Sequence, residues 1–419
     1  MRYLPAMLIG RLIRVLVRLV RPGGGSALPG LIVSKLAPNL VYQNLRRLPR
    51  GLVIITGTAG KSTTTKMVVA IARAHGLVVF TNPSTANIQQ GFFSTIIKSG
   101  SWFGKVSADI AIIEMDEGHA ATLVRQVKPE ISVILNVFED QLDRFIDPAL
   151  VRDKLQTVAL ETKETVLLNA DDQNCLLIAQ ELLNEKKKIF FSVDPSVGSF
   201  DYAKTYLSEI ATPKSNFIVK KLAGREVQLE TPHGRLDVQL PSRGIHFALD
   251  CVAAIATAEA LLGEAFDENL AVQTLNELPP VFSRGELKEV NGETVEFILV
   301  QNPVSMQLNL DNLPSDVEQI FFAIGRDVHD PSWLWTVNYS KLRKVDIVSG
   351  FNYADAALAL GYNGVEISKV EPDYFKAISD FLSLPKPKSG TKTVIYSADA
   401  MRRLRRHMGF TDPEDVERG

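Results

Sequence analysis

Short apolar runs alternate with helical patterns along the first half of the chain. The apolar runs lie at 52–56, 77–80, 109–115, 131–137 and 165–168. Between most of them, apolar residues recur at the spacing of an amphipathic helix. This alternation predicts a doubly wound α/β domain built on a mostly parallel sheet.

A different pattern occupies 188–243, where short alternating runs are interrupted by Gly, Pro and a His-Gly pair. Such runs predict antiparallel β-hairpins inserted into the first domain. An Ala-rich helix follows at 246–262, and the Pro pair and Gly of 277–285 predict a boundary. Further strands are expected near 294–300, 319–324, 344–348 and 393–396. Their alternation with helices predicts a second, Rossmann-like α/β domain.

These patterns divide the chain into three parts. We expect residues 1–40 to form an N-terminal helix and lead-in, 41–283 a central domain, and 284–419 a C-terminal α/β domain. A length of 419 residues is sufficient for two or three domains with cores of their own.

The N-terminal segment 8–21 combines apolar residues with regularly spaced arginines. Arg11, Arg14, Arg18 and Arg21 fall on one helical face, opposite residues such as Leu12, Ile13, Leu16, Val17 and Leu19. The arginines interrupt the apolar run, which disfavours a signal peptide or a membrane-spanning helix. Two interpretations remain open. The helix lies on a membrane surface, or it packs on its own domain with the arginines outward.

Composition narrows the range of partners. The 46 Lys and Arg residues are balanced by 48 Asp and Glu residues, so no overall field favours nucleic acid. Cys175 and Cys251 are the only cysteines, which excludes a four-cysteine zinc ribbon and gives no indication of a disulfide framework. We therefore expect no zinc and a cytoplasmic location. Association with the inner face of the membrane stays open.

A candidate phosphate-binding loop follows the first apolar run. The segment "TGTAGKST" combines Gly57 and Gly60 for a tight turn, Lys61 as a cation, and the Ser62 and Thr63 hydroxyls for Mg²⁺. The helix that begins there directs its N-terminal N–H groups at the same point. The usual P-loop consensus has another glycine five residues before the Gly-Lys pair. The alternative is a plain turn with a solvated lysine.

Carboxylates follow the third apolar run. Glu114 lies at its carboxyl end, with Asp116 and Glu117 beside it. Carboxylates at the carboxyl end of a parallel strand lie at the ligand crevice of an open sheet. Mg²⁺ needs only one or two of them in addition to phosphate oxygens. The sequence therefore predicts a Mg-ATP site, with a solvated strand end as the alternative.

The loop form G-T-x-G-K-[ST]-T resembles that of the Mur ligase superfamily, the ATP-dependent amide-bond-forming enzymes of peptidoglycan and folylpolyglutamate synthesis. Ala59 stands where that superfamily usually has Asn. "LNVFEDQLDRF" at 135–145 is similar to its N-x-x-x-D-[HQ]-L-D-R motif, and "LLNADD" at 167–172 to another signature. Some members carboxylate a lysine after the first of these motifs, which implies this role for Lys154.

Three features are similar to the MurT family, the ligase-like subunits of lipid II isoglutaminyl synthase. One is the form D-Q-L-D-R, and another is the pair "ALPGLIVSKLAPNL" and "TNPSTANIQQG". The third is a C-terminal block with "LVQNP", "DPSWLW" and "VDIVSGFNYADAALALGYNGV". The resemblance covers about residues 10–410.

The resemblance implies a reaction and partners. ATP would phosphorylate the α-carboxylate of D-glutamate in the lipid II stem peptide to an acyl phosphate. Ammonia from a GatD-type glutaminase subunit would then displace phosphate and leave D-isoglutamine. In this family an Asp of the D-x-S-W motif is thought to complete the partner's Cys–His pair, which implies this role for Asp330. The local alternative is that Asp330 caps the helix that starts at Pro331.

Motifs and resemblance together give the candidate site residues. The expected catalytic residues are Asp330, Lys61 and Glu114, and the expected metal-binding residues are Ser62, Glu114 and Lys154. The expected nucleotide-binding residues are Gly57, Thr58, Gly60, Lys61, Ser62, Thr63, Asn136, Asp172, Asp250 and Arg284.

The chain departs from the MurT pattern at several places. The zinc ribbon usual in that family is missing, Gln301 replaces a Lys, Asn352 replaces an Arg, and Asp250 replaces an Asn. Two other functions therefore remain open. One is a Mur-type ligase that adds an amino acid, although such enzymes usually carry D-H-L-D-R and a longer N-terminal domain. The other is a non-catalytic scaffold that kept the P-loop fold.

Overall fold

The computed structural model describes residues 2–20, 27–82, 89–137, 148–182, 186–198, 211–280, 283–314, 317–388 and 391–410. These residues form two compact units. Within the described ranges, the first unit contains 2–137, 148–240 and 248–278, and the second contains 241–247 and 279–410.

The first unit is made of twenty elements in chain order. They are α1 (Leu4–Val20), α2 (Ala27–Leu36), α3 (Leu40–Leu45), β1 (Leu52–Thr56), α4 (Lys61–Ala74), β2 (Val79–Phe80), α5 (Gln89–Ser99), β3 (Ile110–Glu114), α6 (Glu117–Val124), β4 (Ile131–Ile134), α7 (Pro148–Glu161), β5 (Thr165–Asn169), α8 (Gln173–Glu181), β6 (Lys187–Val193), β7 (Phe217–Ala223), β8 (Glu226–Thr231), β9 (Gly234–Gln239), α9 (Ile245–Leu262), a 3₁₀ turn (Gly263–Ala265) and α10 (Glu268–Asn276). The helix Ile245–Leu262 is counted here, although its first three residues belong to the second unit.

Its sheet has the strand order β2-β3-β1-β4-β5-β6-β7-β8-β9. The pairs from β2 to β7 are parallel, and every residue of β1, β3, β4 and β5 is buried. Parallel strands that are covered by helices on both faces have this continuous apolar pattern. The predicted doubly wound, mostly parallel sheet is therefore confirmed.

The segment predicted as antiparallel hairpins follows the prediction only in part. β7, β8 and β9 form an antiparallel meander. β6 instead runs parallel to both β5 and β7, so the prediction was wrong for 188–193. The cause is α8, which connects β5 to β6 as a crossover and so returns the chain in the same direction. The sequence prediction thus placed β6, the last strand of a βαβ unit, in the antiparallel meander.

The N-terminal helix forms as predicted, but its faces are oriented differently. Ala6 and Met7 are buried against the unit. Arg11 also points toward the unit and donates hydrogen bonds to the carbonyl oxygens of Ile97 and Gly100 at 3.1 and 2.6 Å. The expectation of a packed helix with its arginines outward is therefore wrong for Arg11. Its guanidinium satisfies carbonyl groups at the end of α5, which a helix C-terminus otherwise leaves without partners.

The second unit has a sheet of its own. Its elements are β10 (Arg284–Val290), β11 (Glu293–Leu299), α11 (Pro303–Asp311), β12 (Gln319–Ala323), a 3₁₀ helix (Pro331–Thr336), β13 (Lys344–Ser349), α12 (Tyr353–Tyr362), β14 (Glu366–Val370), α13 (Tyr374–Leu382), β15 (Lys392–Tyr396) and α14 (Ala398–His407). The strand order is β10-β11-β15-β12-β13-β14, with only the β10–β11 pair antiparallel among these strands.

Two apolar clusters cover the faces of this second sheet. One contains Val348 and Leu360, and the other contains Phe321 and Phe381. Alternate residues of a strand point to opposite faces, so a sheet covered on both sides needs two such clusters. The predicted Rossmann-like α/β unit is confirmed.

Among the described residues, one helix is long and apolar enough to span a membrane. It covers Ile245–Ala265, and 72% of its most apolar window is buried inside the fold. A buried core helix has the same composition, so this segment is explained by packing.

Candidate nucleotide-binding site

The predicted phosphate loop lies where the strand order of the first sheet changes direction. β1 lies between β3 and β4, so the chain proceeds to one side through β2 and β3 and to the other through β4 and β5. Because these strands are parallel, the segments that follow them emerge at the same edge of the sheet. Ligands of open α/β sheets bind at such a position.

Two glycines shape the loop. Gly57 has φ +125°, and a Cβ there would lie 2.9 Å from the Asn136 carbonyl oxygen. Gly60 has φ +86°, and a Cβ there would lie 2.2 Å from Asp250 Oδ1. At both positions a side chain would be disfavoured by the positive φ and would clash with neighbouring atoms. The two glycines thus allow the loop to lie directly against Asn136 and Asp250.

Asn136, which follows β4, holds the loop in place. Its Oδ1 accepts a hydrogen bond from Ala59 N at 2.8 Å, and its Nδ2 donates to Ala59 O at 3.1 Å. The backbone adds a bond from Thr58 N to Asn136 O at 3.1 Å. The structure therefore gives this predicted nucleotide-binding residue a loop-bracing position.

Lys61 is the first residue of α4 and turns back toward the loop. Its Nζ donates to Gly57 O and to Thr58 O, the second at 3.1 Å. It also forms an ion pair with Glu117 at 3.5 Å, and both side chains are largely buried. The ammonium charge is thus held at the loop and the N-terminus of α4, where the helix dipole already favours an anion.

The first turn of α4 is rich in buried hydroxyl groups. Ser62, Thr63, Thr64 and Thr65 are all buried. The Oγ1 atoms of Thr64 and Thr65 are buried with no hydrogen-bond partner in the described structure. A buried polar atom without a partner costs free energy. The start of α4 therefore contains two enclosed hydroxyl groups whose hydrogen-bonding capacity the described structure leaves unused.

Glu114 ends β3 and is 2% exposed. Asn82 fixes its backbone: Asn82 Nδ2 donates to Glu114 O and Asn82 Oδ1 accepts from Glu114 N, both at 3.1 Å. A single carboxylate together with the Ser62 hydroxyl fits Mg²⁺, which retains several waters and binds phosphate oxygens. Within the described ranges no group of three or more His, Cys, Asp or Glu side chains could form a metal site by itself.

Asp172 braces the same edge of the sheet. It caps α8 by accepting from Cys175 N at 3.0 Å, and it accepts from Val137 N at 2.7 Å. Burial raises its pKa to about 6, while these N–H groups act in the opposite direction. Both carboxylate oxygens thus bind the backbone, one of them next to Asn136, and this residue takes a positioning role.

The remaining predicted residues are placed as follows. Lys154 is exposed on α7, and the described contacts do not join it to the loop or to Glu114. Arg284 is the first residue of β10 in the second unit, where its carbonyl oxygen accepts from Ser242 Oγ at 2.8 Å. The D-Q-L-D-R motif at 140–144 lies outside the described residues.

Sequence reasoning missed one contributor to the site and the partner of another. Asn82, which follows β2, was assigned no role, and Glu117, placed beside Glu114 at the crevice, was not paired with Lys61. The position of Asn82 directly after a parallel strand was the available signal, because polar residues at strand ends collect at this edge. The contact of Glu117 with Lys61 depends on the fold.

Asp330 lies in the second unit, exposed at the start of the 3₁₀ helix Pro331–Thr336. Its Oδ1 accepts from Ser332 N at 2.9 Å, as an N-cap does. Hydrogen bonds from Ser332 hold the pKa of this carboxyl below its ordinary value. Asp330 is therefore an ionised, exposed carboxylate at a capped helix start.

Exposed aromatic side chains lie in the elements around Asp330. Trp335 contacts Tyr362 edge-on with ring centroids 5.6 Å apart, and Tyr362 is 84% exposed. Arg326 lies over the ring of Phe351 at 4.9 Å. Large exposed aromatic residues beside an Arg are typical of protein–protein interfaces.

Comparison with known proteins agrees with the fold. The Mur ligase middle domain matches residues 55–258, and the MurT ligase C-terminal domain matches residues 299–399. The MurT subunit of lipid II isoglutaminyl synthase from Streptococcus pneumoniae is 24% identical over 84% of this chain and 85% of that protein. Its counterpart from Staphylococcus aureus strain N315 is 31% identical over 35% of this chain and 33% of that protein.

A solved structure shows the same fold. The MurF ligase from Thermotoga maritima in complex with ADP superposes with a TM-score of 0.66 at 18% identity, over 93% of this chain and 85% of that one. The chain therefore contains a Mur ligase middle domain, which carries the phosphate loop, and a MurT-type C-terminal domain. Over most of its length it is similar to the pneumococcal MurT subunit.

Proposed function

We propose that this chain is the synthetase subunit of a lipid II isoglutaminyl synthase. It converts the α-carboxylate of D-glutamate in the lipid II stem peptide to an amide, using ATP and ammonia from a GatD-type glutaminase. The observation that carries the proposal is the pairing of the phosphate loop with Glu114 at one sheet edge, in a chain with a MurT-type C-terminal domain.

The loop residues account for ATP binding. The N–H groups at the N-terminus of α4 and the Lys61 ammonium lie together at the end of the loop. Phosphoryl transfer between anionic oxygens is promoted mainly by positioning and by neutralisation of charge. Lys61 supplies a full positive charge for the phosphates, and Asn136 keeps the loop in the binding shape.

Glu114 and Ser62 would hold the Mg²⁺ that accompanies ATP. The ion would neutralise phosphate charge during transfer. Asn82 positions Glu114 for this role by bonding to both backbone groups of that residue at 3.1 Å. The buried position of Glu114 limits competition from water.

The chemistry requires activation because a carboxylate is a poor electrophile. An oxygen of the substrate carboxylate attacks the γ-phosphorus of ATP, and ADP leaves. The nitrogen of ammonia then attacks the carbonyl carbon of the acyl phosphate, and inorganic phosphate leaves as nitrogen loses a proton. The product is the amide, and one ATP is consumed per amide formed.

The second unit supports a role for a partner protein. Asp330 is ionised and exposed, as expected of a carboxylate that orients a partner's histidine in a shared Cys-His-Asp arrangement. Trp335, Tyr362 and Phe351 lie on the elements around it and offer aromatic contact area. We assign this surface to the glutaminase. Since lipid II is membrane-anchored, we place the enzyme at the inner face of the cytoplasmic membrane.

The proposal is tested by acceptor specificity. Purified protein is supplied with ATP, Mg²⁺ and lipid II, and phosphate release is measured with ammonium or with single amino acids as nitrogen donor. We expect release that depends on both lipid II and ammonium. Release with an amino acid but not with ammonium would establish an amino-acid-adding ligase instead.

The Lys61→Ala variant provides the control for the assigned loop. Loss of the ammonium should abolish phosphate release in either case, since both reactions use the same loop. An unchanged rate would show that the loop is not the ATP site. No release under any acceptor, with ATP binding retained in the wild type, would indicate a non-catalytic scaffold.

A further inference from the structure

The N-terminal helix presents an apolar face to solvent. Leu8, Ile9, Leu12, Val15 and Leu16 are all exposed, and Leu12 is 61% exposed. At 100° per residue these five positions fall within about one third of the helix circumference. They therefore form one continuous apolar strip rather than scattered surface residues, and such a strip on a protein surface marks an interaction site.

The opposite face fixes the helix to the first unit. Met7 is fully buried. A Cβ at Gly10 would lie 2.6 Å from Val33 Cγ2 and 3.0 Å from Ile97 Cδ1, so this glycine allows close packing on α2 and α5. Arg11 bonds to carbonyl oxygens at the end of α5. Since the buried face is already occupied, the apolar strip is not needed for the core.

A turn next to the helix extends the apolar surface. Trp102 and Phe103 are both exposed. The Arg11 guanidinium lies 4.4 Å from the Trp102 ring centroid, and Arg11 Nη2 also donates to Ser101 O at 3.3 Å. Arg11 is three residues from Leu8 and four from Val15, so it borders the strip. The turn therefore adds an indole and a phenyl ring beside a cation.

The charge of this region is strongly one-sided. The first 108 residues contain 14 Lys and Arg and no Asp or Glu, although the whole chain has a net charge of −2. Lys35 at the end of α2 and Lys105 in the turn are exposed in the same unit. An apolar helix face with cations around it matches the interface of a bilayer that contains anionic lipids. Tryptophan favours that interface because its ring is apolar and its N–H is polar.

We propose that the α1 face and the Trp102–Phe103 turn form a docking surface for an anionic lipid bilayer. The helix lies in the plane of the interface with Leu12 and Leu16 inserted among the acyl chains. Trp102 and Phe103 sit at the level of the headgroups, where Arg11 holds the indole in place and Lys105 contacts lipid phosphates. This inference goes beyond the proposed reaction, because vesicle binding requires no turnover.

The test is co-sedimentation of the full chain with phosphatidylglycerol–phosphatidylcholine vesicles and with pure phosphatidylcholine vesicles. We expect binding to the anionic vesicles that weakens with added salt, and weaker binding to the neutral ones. The Leu12→Glu, Leu16→Glu double variant should bind at least about tenfold more weakly, since one buried leucine is already worth about that factor. Both positions are exposed, so folding should be retained, which circular dichroism checks.

Leu358→Glu is the matched control, because Leu358 is equally exposed but lies in the second unit. This variant should sediment as the wild type does. Failure of the wild type to bind anionic vesicles, or equal binding by the double variant, would overturn the inference. Dimers of the wild type that the double variant abolishes, without vesicle binding, would assign the face to a second copy.

Tryptophan fluorescence gives an independent readout of the same geometry. Anionic vesicles should shift the emission of the wild type to shorter wavelength, and Trp102→Phe should remove that shift. Trp335→Phe, which removes an exposed indole from the other unit, should retain it. A vesicle-induced shift that persists in Trp102→Phe would place the contact elsewhere and contradict the proposed surface.

Discussion

Asn136 and Ala59 form a closed pair of hydrogen bonds, with the side-chain amide accepting at 2.8 Å from the backbone N–H and donating at 3.1 Å to the carbonyl. The pair joins the end of β4 to the phosphate loop after β1. A loop held by an amide on both sides has little freedom to collapse, so the backbone N–H groups that follow it at the start of α4 are positioned before the ligand arrives. Pre-positioned donors of this kind are the main contribution of a phosphate loop.

The pair predicts a graded effect of substitution at Asn136. Asn136→Ala removes both bonds and should raise the KM for ATP by roughly tenfold or more, since each bond is worth about 1 kcal/mol. Asn136→Asp keeps the acceptor for Ala59 N but loses the donor, so we expect an intermediate KM. Steady-state kinetics with ATP as the varied substrate measures both. Equal KM values in all three proteins would contradict the bracing role.

Gly57→Ala should disrupt the loop through backbone contact. Its Cβ would lie 2.9 Å from Asn136 O and 3.0 Å from Asn136 N, at φ +125°. We expect loss of ATP binding and a fall in unfolding free energy of about 2 kcal/mol or more. Gly234→Ala is the matched control, because φ is +143° there and a Cβ meets nothing within 4 Å. ATP binding by calorimetry that is retained in Gly57→Ala would refute the assigned loop.

Asp330→Asn separates the charge of this residue from its structural role. Asn is as good an N-cap as Asp, so the bond to Ser332 N and the start of the 3₁₀ helix should be preserved. In a complex with the proposed GatD-type glutaminase, we expect the glutamine-dependent rate to fall about tenfold or more while the ammonium-dependent rate stays unchanged. An equal loss of both rates would show that Asp330 acts only through the fold.

Stability should depend on pH through Asp171. Burial raises the pKa of Asp171 from its ordinary 3.8 to about 6, although its carboxylate accepts from Val193 N at 2.7 Å. The folded chain thus binds this proton more tightly than the unfolded chain. The resulting stabilisation is present at low pH and is lost as the pH rises through the folded pKa.

Asp171→Asn should therefore stabilise the protein at pH 7 but not at pH 4. The amide oxygen still accepts from Val193 N, and the cost of a buried charge, about 1–3 kcal/mol at neutral pH, is removed. Thermal unfolding at both pH values measures the difference. A Tm gain of the same size at pH 4 and pH 7 would assign the effect to packing rather than to ionisation.

Much of the architecture could be predicted because buried parallel strands have continuous apolar runs. The strand that ends at Thr56 and the one that ends at Glu114 are recognisable in this way, and parallel pairing then brings their ends together. The phosphate loop could also be predicted, because its glycines, lysine and hydroxyls are neighbours in the sequence at a strand–helix junction.

The remaining features depend on contacts between distant segments. The direction of Arg11 is decided by carbonyl groups at the end of α5, about ninety residues away, and a helical wheel contains no information about them. β6 was assigned to the hairpins because its own residues do not reveal which strand it pairs with. The bond from Val137 N to Asp172 likewise arises only when the segment after β4 meets the start of α8.

The central claim is amidation of a lipid-linked carboxylate, and mass spectrometry of the product tests it most directly. Lipid II is incubated with the purified chain, ATP, Mg²⁺ and ¹⁵N-ammonium, and the stem peptide is then fragmented. We predict one ¹⁵N atom on the α-carboxamide of the second residue, and none with the Lys61→Ala variant. Unlabelled lipid II, or a product extended by an amino acid, would contradict the account.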